Sequence, residues 1–127
     1  MAQSAGLHEP EDRLAPATID RHRAYVSIQE ELEAAGWYDQ RVDATTDLSL
    51  AAILAHNRDE EKEHASMLLE WLRRNDPTFD KHLRTYLFTT EPITEIETEV
   101  MDEGGATTTA SDGSGSLGIG SLKGESL

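Results

Sequence analysis

Asn57-Arg58-Asp59-Glu60-Glu61-Lys62-Glu63-His64 carries one Glu-x-x-His step, Glu61 to His64, inside a stretch patterned as an amphipathic helix. Residues three apart on a helix share a face, with their Cβ atoms about 5–6 Å apart. A carboxylate and an imidazole so spaced can reach one metal ion. A four-helix dinuclear carboxylate centre needs two such steps and two further glutamates, each from its own helix. This chain offers one step and, about thirty residues upstream, one candidate glutamate, Glu31. That is half a site, and the simplest completion is a second copy of the chain.

Working outward, Leu50, Ile53, Leu54, Asn57, Glu61, His64, Leu68, Trp71 and Leu72 follow in steps mostly of three and four, which predicts a helix over about residues 48–75. Glu61 and His64 stand within that apolar seam, and Met67 and Trp71 read as core. A carboxylate in such a seam costs several kcal/mol in desolvation unless it is paired, and metal coordination is the simplest offset. Upstream, Tyr25, Ile28, Leu32 and Ala35 form a second stripe over residues 18–41. Pro16 suits the start of this helix, but would kink one that began near Pro10. The turn falls in residues 42–46, with Thr46 or Asp47 as N-cap of the next helix.

In an antiparallel hairpin built this way, Glu31 lies about 13 residues before the middle of the turn and Glu61 about 16 after it. Their heights agree within about one helical turn. Tyr38, two turns beyond Glu31 on the same side, falls within reach of a supporting role near a metal.

Asp76-Pro77 reads as a cap followed by proline at the first helical position, opening a short third helix with Phe79, Leu83, Tyr86 and Leu87 on one face. This helix should pack as a lid or base on the hairpin. The expected organisation is an N-terminal arm over 1–17, a helical body over 18–90, an acidic and flexible linker over 91–115, and a terminal peptide over 116–127. Seven of the nine glycines lie past Glu103, which supports the linker. Apolar residues return at Leu117, Ile119 and Leu122, and a hydrophobic tip on a tether reads as a docking peptide.

Composition narrows the chemistry. With no cysteine, disulfides, thiolate-bound metal and a cysteine nucleophile are excluded, leaving Glu, Asp, His and water as ligands, a set suited to iron or manganese. A net charge of −14 argues against nucleic acid as a partner. No run approaches the roughly 20 apolar residues of a membrane span, so a soluble intracellular protein is expected. His56, at the edge of the apolar face, reads as a packed or capped histidine, His8, His22 and His82 as surface, and Glu60 and Glu63 either as a solvated face or with one of them helping to pass cations inward. Two chains would supply Glu31 and Glu61 twice, four negative charges against the four positive charges of two ferrous ions, with both His64 side chains neutral.

Together, Glu30-Glu31-Leu32-Glu33 with Trp37-Tyr38, the segment His56 to His64, and Leu117-Gly118-Ile119-Gly120-Ser121-Leu122 resemble the encapsulated ferritin-like proteins, cargo of bacterial encapsulin nanocompartments. The resemblance implies two-helix subunits that dimerise around a ferroxidase centre holding two irons per dimer, with the dimers closing into a ring. By position it implies Glu31, Glu61 and His64 as iron ligands, Tyr38 and Trp37 close by, and Glu30 with Glu33 as an outer acidic entry site. It also implies that the terminal peptide binds the inner wall of an encapsulin shell in the bacterial cytoplasm.

The expected fold is all-α: an antiparallel two-helix hairpin with a short third helix, dimerising into a ferritin-like four-helix bundle, with a disordered C-terminal tail. The expected activity is oxidation of Fe(II) by dioxygen or peroxide for iron storage. Alternatives are a rubrerythrin-like peroxidase, which the missing cysteines weaken, a manganese enzyme, and a non-catalytic helical module whose Glu-His cluster is a structural metal clip.

Overall fold

The computed structural model describes residues 6–106, with side chains through residue 101, so the predicted docking residues Leu117, Ile119 and Leu122 lie outside the described residues. Every regular element described is helical. A short 3-10 turn at Glu11–Arg13 precedes α1 (Pro16–Ala44), α2 (Leu48–Asn75), α3 (Pro77–Tyr86) and α4 (Ile93–Ala106). The chain divides into two compact units after Asp76.

The first unit is the hairpin of α1 and α2. Pro16 occupies the first turn of α1, where its missing N–H leaves no helical bond unmade. The helix closes where the Thr45 N–H donates to the Arg41 carbonyl at 3.1 Å. Three residues then reverse the chain. Asp47 caps α2, its Oδ1 accepting from the Leu50 N–H at 3.0 Å and from the Ser49 hydroxyl at 2.8 Å. The bond from the Leu50 N–H, followed by that from Ser49, holds the Asp47 carboxyl below the usual carboxylate range. At 29 and 28 residues the two helices are nearly equal in length. They run side by side for most of the roughly 40 Å that 1.5 Å per residue provides.

The buried residues of this unit are small except for one: Ala24 and Ala35 on α1, Ala65 and Leu72 on α2. Alanine at the contact lets the backbones approach closely. Leu54 and Leu68 are half-buried, but Trp71 is 39% exposed and Met67 59%, so neither is core as their place in the stripe predicted. The stripe is wider than the surface one neighbouring helix can cover, and these two side chains fall on its uncovered side. His56 is likewise exposed rather than packed, its Nε2 lying 3.9 Å from a Glu60 oxygen.

In the second unit, α3 ends in a left-handed residue, Phe88 at φ 63°, in the position that commonly terminates helices. The Thr89 hydroxyl donates to the Tyr86 carbonyl at 2.7 Å. Pro92 then precedes α4, and its carbonyl accepts from the N–H groups of Glu95 and Ile96. Residues 93–106 are therefore helical, where composition predicted the start of a flexible linker. Ile93, Ile96 and Val100 repeat at three and four residues, and Ile96 is buried within this unit, where α4 packs on α3.

Candidate metal centre

Halfway along the hairpin, Glu31 from α1 meets Glu61 and His64 from α2. One ligand atom from each lies within 4.8 Å of the other two, close enough for a single ion to touch all three. His64 Nδ1 is 3.3 Å from Glu61 Oε1 and 3.5 Å from Glu31 Oε1. The first contact comes from the three-residue step within α2 and the second from the pairing of the helices, as the matched heights predicted. Both carboxylates are about three-quarters buried, whereas His64 remains more open.

The electrostatics favour a cation at this cluster. Hydrogen-bonded to Glu61, desolvated, and facing the Glu61 charge, the Glu31 carboxyl is held above the usual carboxylate range, with His64 opposing the shift. For His64, desolvation favours the neutral ring, but the hydrogen bond to Glu61 and the charge and hydrogen bond of Glu31 outweigh it, so its pKa is raised. Two carboxylates and one imidazole suit a divalent first-row metal such as iron or manganese and leave coordination positions open. The donor set therefore fits the metal that the sequence pattern anticipated.

Glu60, read from sequence as a solvated face, also reaches the site: its Oε1 lies 3.6 Å from His64 Nε2, the ring nitrogen that Glu31 and Glu61 leave free. The four-residue spacing from Glu60 to His64 was the available signal. Tyr38 is half-buried on α1 with the Arg41 guanidinium 5.5 Å above its ring, and no hydrogen bond joins it to the three ligands among the described residues. Glu30, Glu33 and Trp37 are exposed on α1, and Trp37 with Gln40, Arg41 and Ala44 lines an open surface hollow.

Around the site runs an uncovered apolar strip. Leu50, Asn57, His64 and Trp71 fall in one seven-residue row of α2, and Leu50, Ile53 and Trp71 are all exposed. No helix among the described residues is long and apolar enough to cross a membrane.

Comparison with known proteins places the hairpin in a family. The profile of the EncFtn-like family matches residues 6–90. The encapsulated ferritin-like protein of Rhodospirillum rubrum is 63% identical over 131 aligned residues, covering 98% of this chain and 94% of that protein. The encapsulin nanocompartment cargo protein EncC of Myxococcus xanthus is 33% identical over 84 residues, 66% of this chain and 65% of that protein. Among solved structures, the crystal structure of protein ne0167 from Nitrosomonas europaea aligns with a TM-score of 0.67 at 62% identity, covering 69% of this chain and 97% of that one. With its family profile spanning both helices of the hairpin and the ligand cluster between them, this chain belongs to the EncFtn-like family of encapsulated ferritin-like proteins.

Proposed function

We propose that two copies of this chain pair through the side of the hairpin that bears Glu31, Glu61 and His64, closing a four-helix bundle around a centre that oxidises Fe(II) to Fe(III). One observation carries this reading: three ligand atoms within 4.8 Å form half of a dinuclear set and lie beside a strip of exposed Leu50, Ile53 and Trp71 that a second hairpin would cover. Two chains bring four carboxylates and two imidazoles to two Fe(II) ions. Iron is the substrate here as well as the bound ion. Each ion gives up one electron, and the pair reduces dioxygen with two protons to hydrogen peroxide, or peroxide with two protons to water. The four carboxylates favour the more highly charged ferric product.

The remaining residues take outer roles. Tyr38, two turns from Glu31, flanks the centre. Glu30 and Glu33 with Trp37, exposed on α1, gather cations at the outer surface. Dimers assemble further into a ring, which encloses no cavity of its own, so the mineral forms in a separate shell. The relatives' names support that shell being an encapsulin, "encapsulated" in Rhodospirillum rubrum and "encapsulin nanocompartment cargo" in Myxococcus xanthus. Residues 116–127, through Leu117, Ile119 and Leu122, are the segment that docks on its inner wall, placing the protein in a nanocompartment of the bacterial cytoplasm. The test is anaerobic loading with Fe(II) followed by exposure to air. Oxidation continuing past two irons per dimer supports the ferroxidase, whereas a stable colourless complex supports a structural clip.

A further inference from the structure

Arg58 occupies an unusual place for a charge. It lies in the row of α2 that faces α1, seven residues before Ala65 and fourteen before Leu72, both buried. Its side chain is only 23% exposed, and its guanidinium is committed on two sides: Nη1 donates to Asp39 Oδ1 across the hairpin at 3.0 Å, and Nε donates to Asp59 Oδ1 at 3.0 Å. The rest of that row is Ala51, Ala65 and Leu72, apolar and, except for Leu72, small. Alanine contacts resist separation of the helices but resist rotation of one about its own axis much less, and the one bulky side chain buried in this row, Leu72, lies about two turns beyond His64. The short connection after α1 fixes the heights at one end of the hairpin and leaves this rotation open.

We infer that the Arg58–Asp39 pair is the pin that sets the rotation and register of α2 against α1, and so holds Glu61 and His64 opposite Glu31; the inference rests on the metal-centre reading above. The order along the chains supports it. On α2, Arg58 comes one turn before Glu61 and two before His64. On α1, Asp39 lies about two turns beyond Glu31. On the other side of the site, the Tyr25 hydroxyl donates to Asp76 Oδ2 at 3.5 Å, so directional polar links stand on both sides of the three ligands. A slip of one residue shifts a helix by about 1.5 Å and, following its screw, turns it by about 100°, which swings Arg58 away from Asp39 and breaks the bond. Polar groups that fix register at some expense of stability are a known use of charge within helical packing. Arg58 touches no ligand in this arrangement and is a positioning residue.

The test uses the full chain with Co(II) as probe, read by its visible absorption. Arg58→Met, which keeps the length and helix preference of the side chain, and Asp39→Asn should each lower Co(II) affinity by about ten- to a hundredfold, the usual effect of losing a group that orients metal ligands. Helix content by circular dichroism should stay unchanged. Arg58→Lys should recover most of the loss, and the Arg58→Met/Asp39→Asn double variant should be no worse than either single one. Because the chain has no cysteine, spin labels at Gln29→Cys and Ser66→Cys report the helix register directly in samples diluted with unlabelled chain. Arg58→Met should shift or broaden that distance. Wild-type Co(II) affinity in Arg58→Met overturns the inference, as does weakened affinity with an unaltered label distance. A shifted label distance in a protein whose wild type binds no Co(II) supports the pin and refutes the metal-centre reading instead.

Discussion

Trp71 and Leu72 are neighbours in sequence and differ completely in setting. Leu72 is 1% exposed, while Trp71 is 39% exposed on the side that carries His64. The same contrast runs along all of α2. The row that faces α1 holds Ala51, Arg58, Ala65 and Leu72, mostly small, and the row beside it holds Leu50, Asn57, His64 and Trp71, mostly large. One helix covers the first row and reaches the second only at His64, through Glu31. One helix leaves the large-residue side of this apolar surface uncovered, and Glu31, Glu61 and His64 sit beside it; on the reading proposed above, a second hairpin belongs there. Left bare, large apolar residues around a half-complete ligand set would be a liability for solubility.

The largest expected effect comes from the uncovered row and its ligands. Glu31→Ala, Glu61→Ala or His64→Ala deletes two ligands from a symmetric centre, and losing several kcal/mol of metal stabilisation should slow Fe(II) oxidation by at least about a hundredfold. Stopped-flow absorbance on mixing with air-saturated buffer measures it, and wild-type rates in all three variants would refute the ligand assignment.

The covered row should respond differently. Leu72→Ala leaves a cavity and should lower folding stability by about 2–5 kcal/mol, seen as a fall in thermal midpoint. Trp71→Ala should leave helix content intact but weaken self-association by at least about tenfold, as truncating an aromatic interface anchor commonly does, seen by sedimentation. Reversal of these two outcomes would mean that the faces have been misassigned.

Acidity sharpens the contrast further. Both Glu31 and His64 have raised pKa values in the free chain, so their effect on folding is favourable at low pH and is lost as pH rises through those values. Metal binding requires the deprotonated forms, which reverses the trend. The increase in thermal midpoint on adding metal should therefore be greatest at neutral to alkaline pH and shrink as pH falls through the raised His64 value, at higher pH than for an ordinary histidine. A metal-induced shift that does not vary with pH would contradict this.

The smallest effect belongs to the polar side of α2. Bonds from Arg73, then Arg74, hold Glu70 down to about 2. Its contribution is present above the ordinary carboxylate range and lost as pH falls toward about 2. Glu70→Gln should remove only that acid-side slope from the thermal midpoint, a minor change for a pairing at the surface.

Much of the hairpin was legible because its signals are local. The Asp47 cap, proline at the start of α1 and the extent of α2 follow from short-range chemistry, and Glu31, Glu61 and His64 could be matched because helical rise converts residue counts into heights. What was missed depends on partners. Periodicity gives the width of a stripe but not how much of it one neighbour covers, so Trp71 and Met67 were assigned to the core. The link from Arg58 to Asp39 spans nineteen residues and a turn, and nothing in the local sequence marks it. In α4, acidic composition ending in two glycines masked the spacing of Ile93, Ile96 and Val100, and the helix forms once Ile96 has α3 to pack on.

On the reading proposed above, the side of this hairpin that bears Glu31, Glu61 and His64 is half of a two-chain iron centre. Native mass spectrometry of the anaerobic protein with increasing Fe(II), paired with the Glu61→Ala variant, tests it most directly. The expected result is an even number of chains carrying one iron per chain, with that iron lost in Glu61→Ala. Single chains each retaining one iron, or a dimer whose iron content is unchanged by Glu61→Ala, would contradict it.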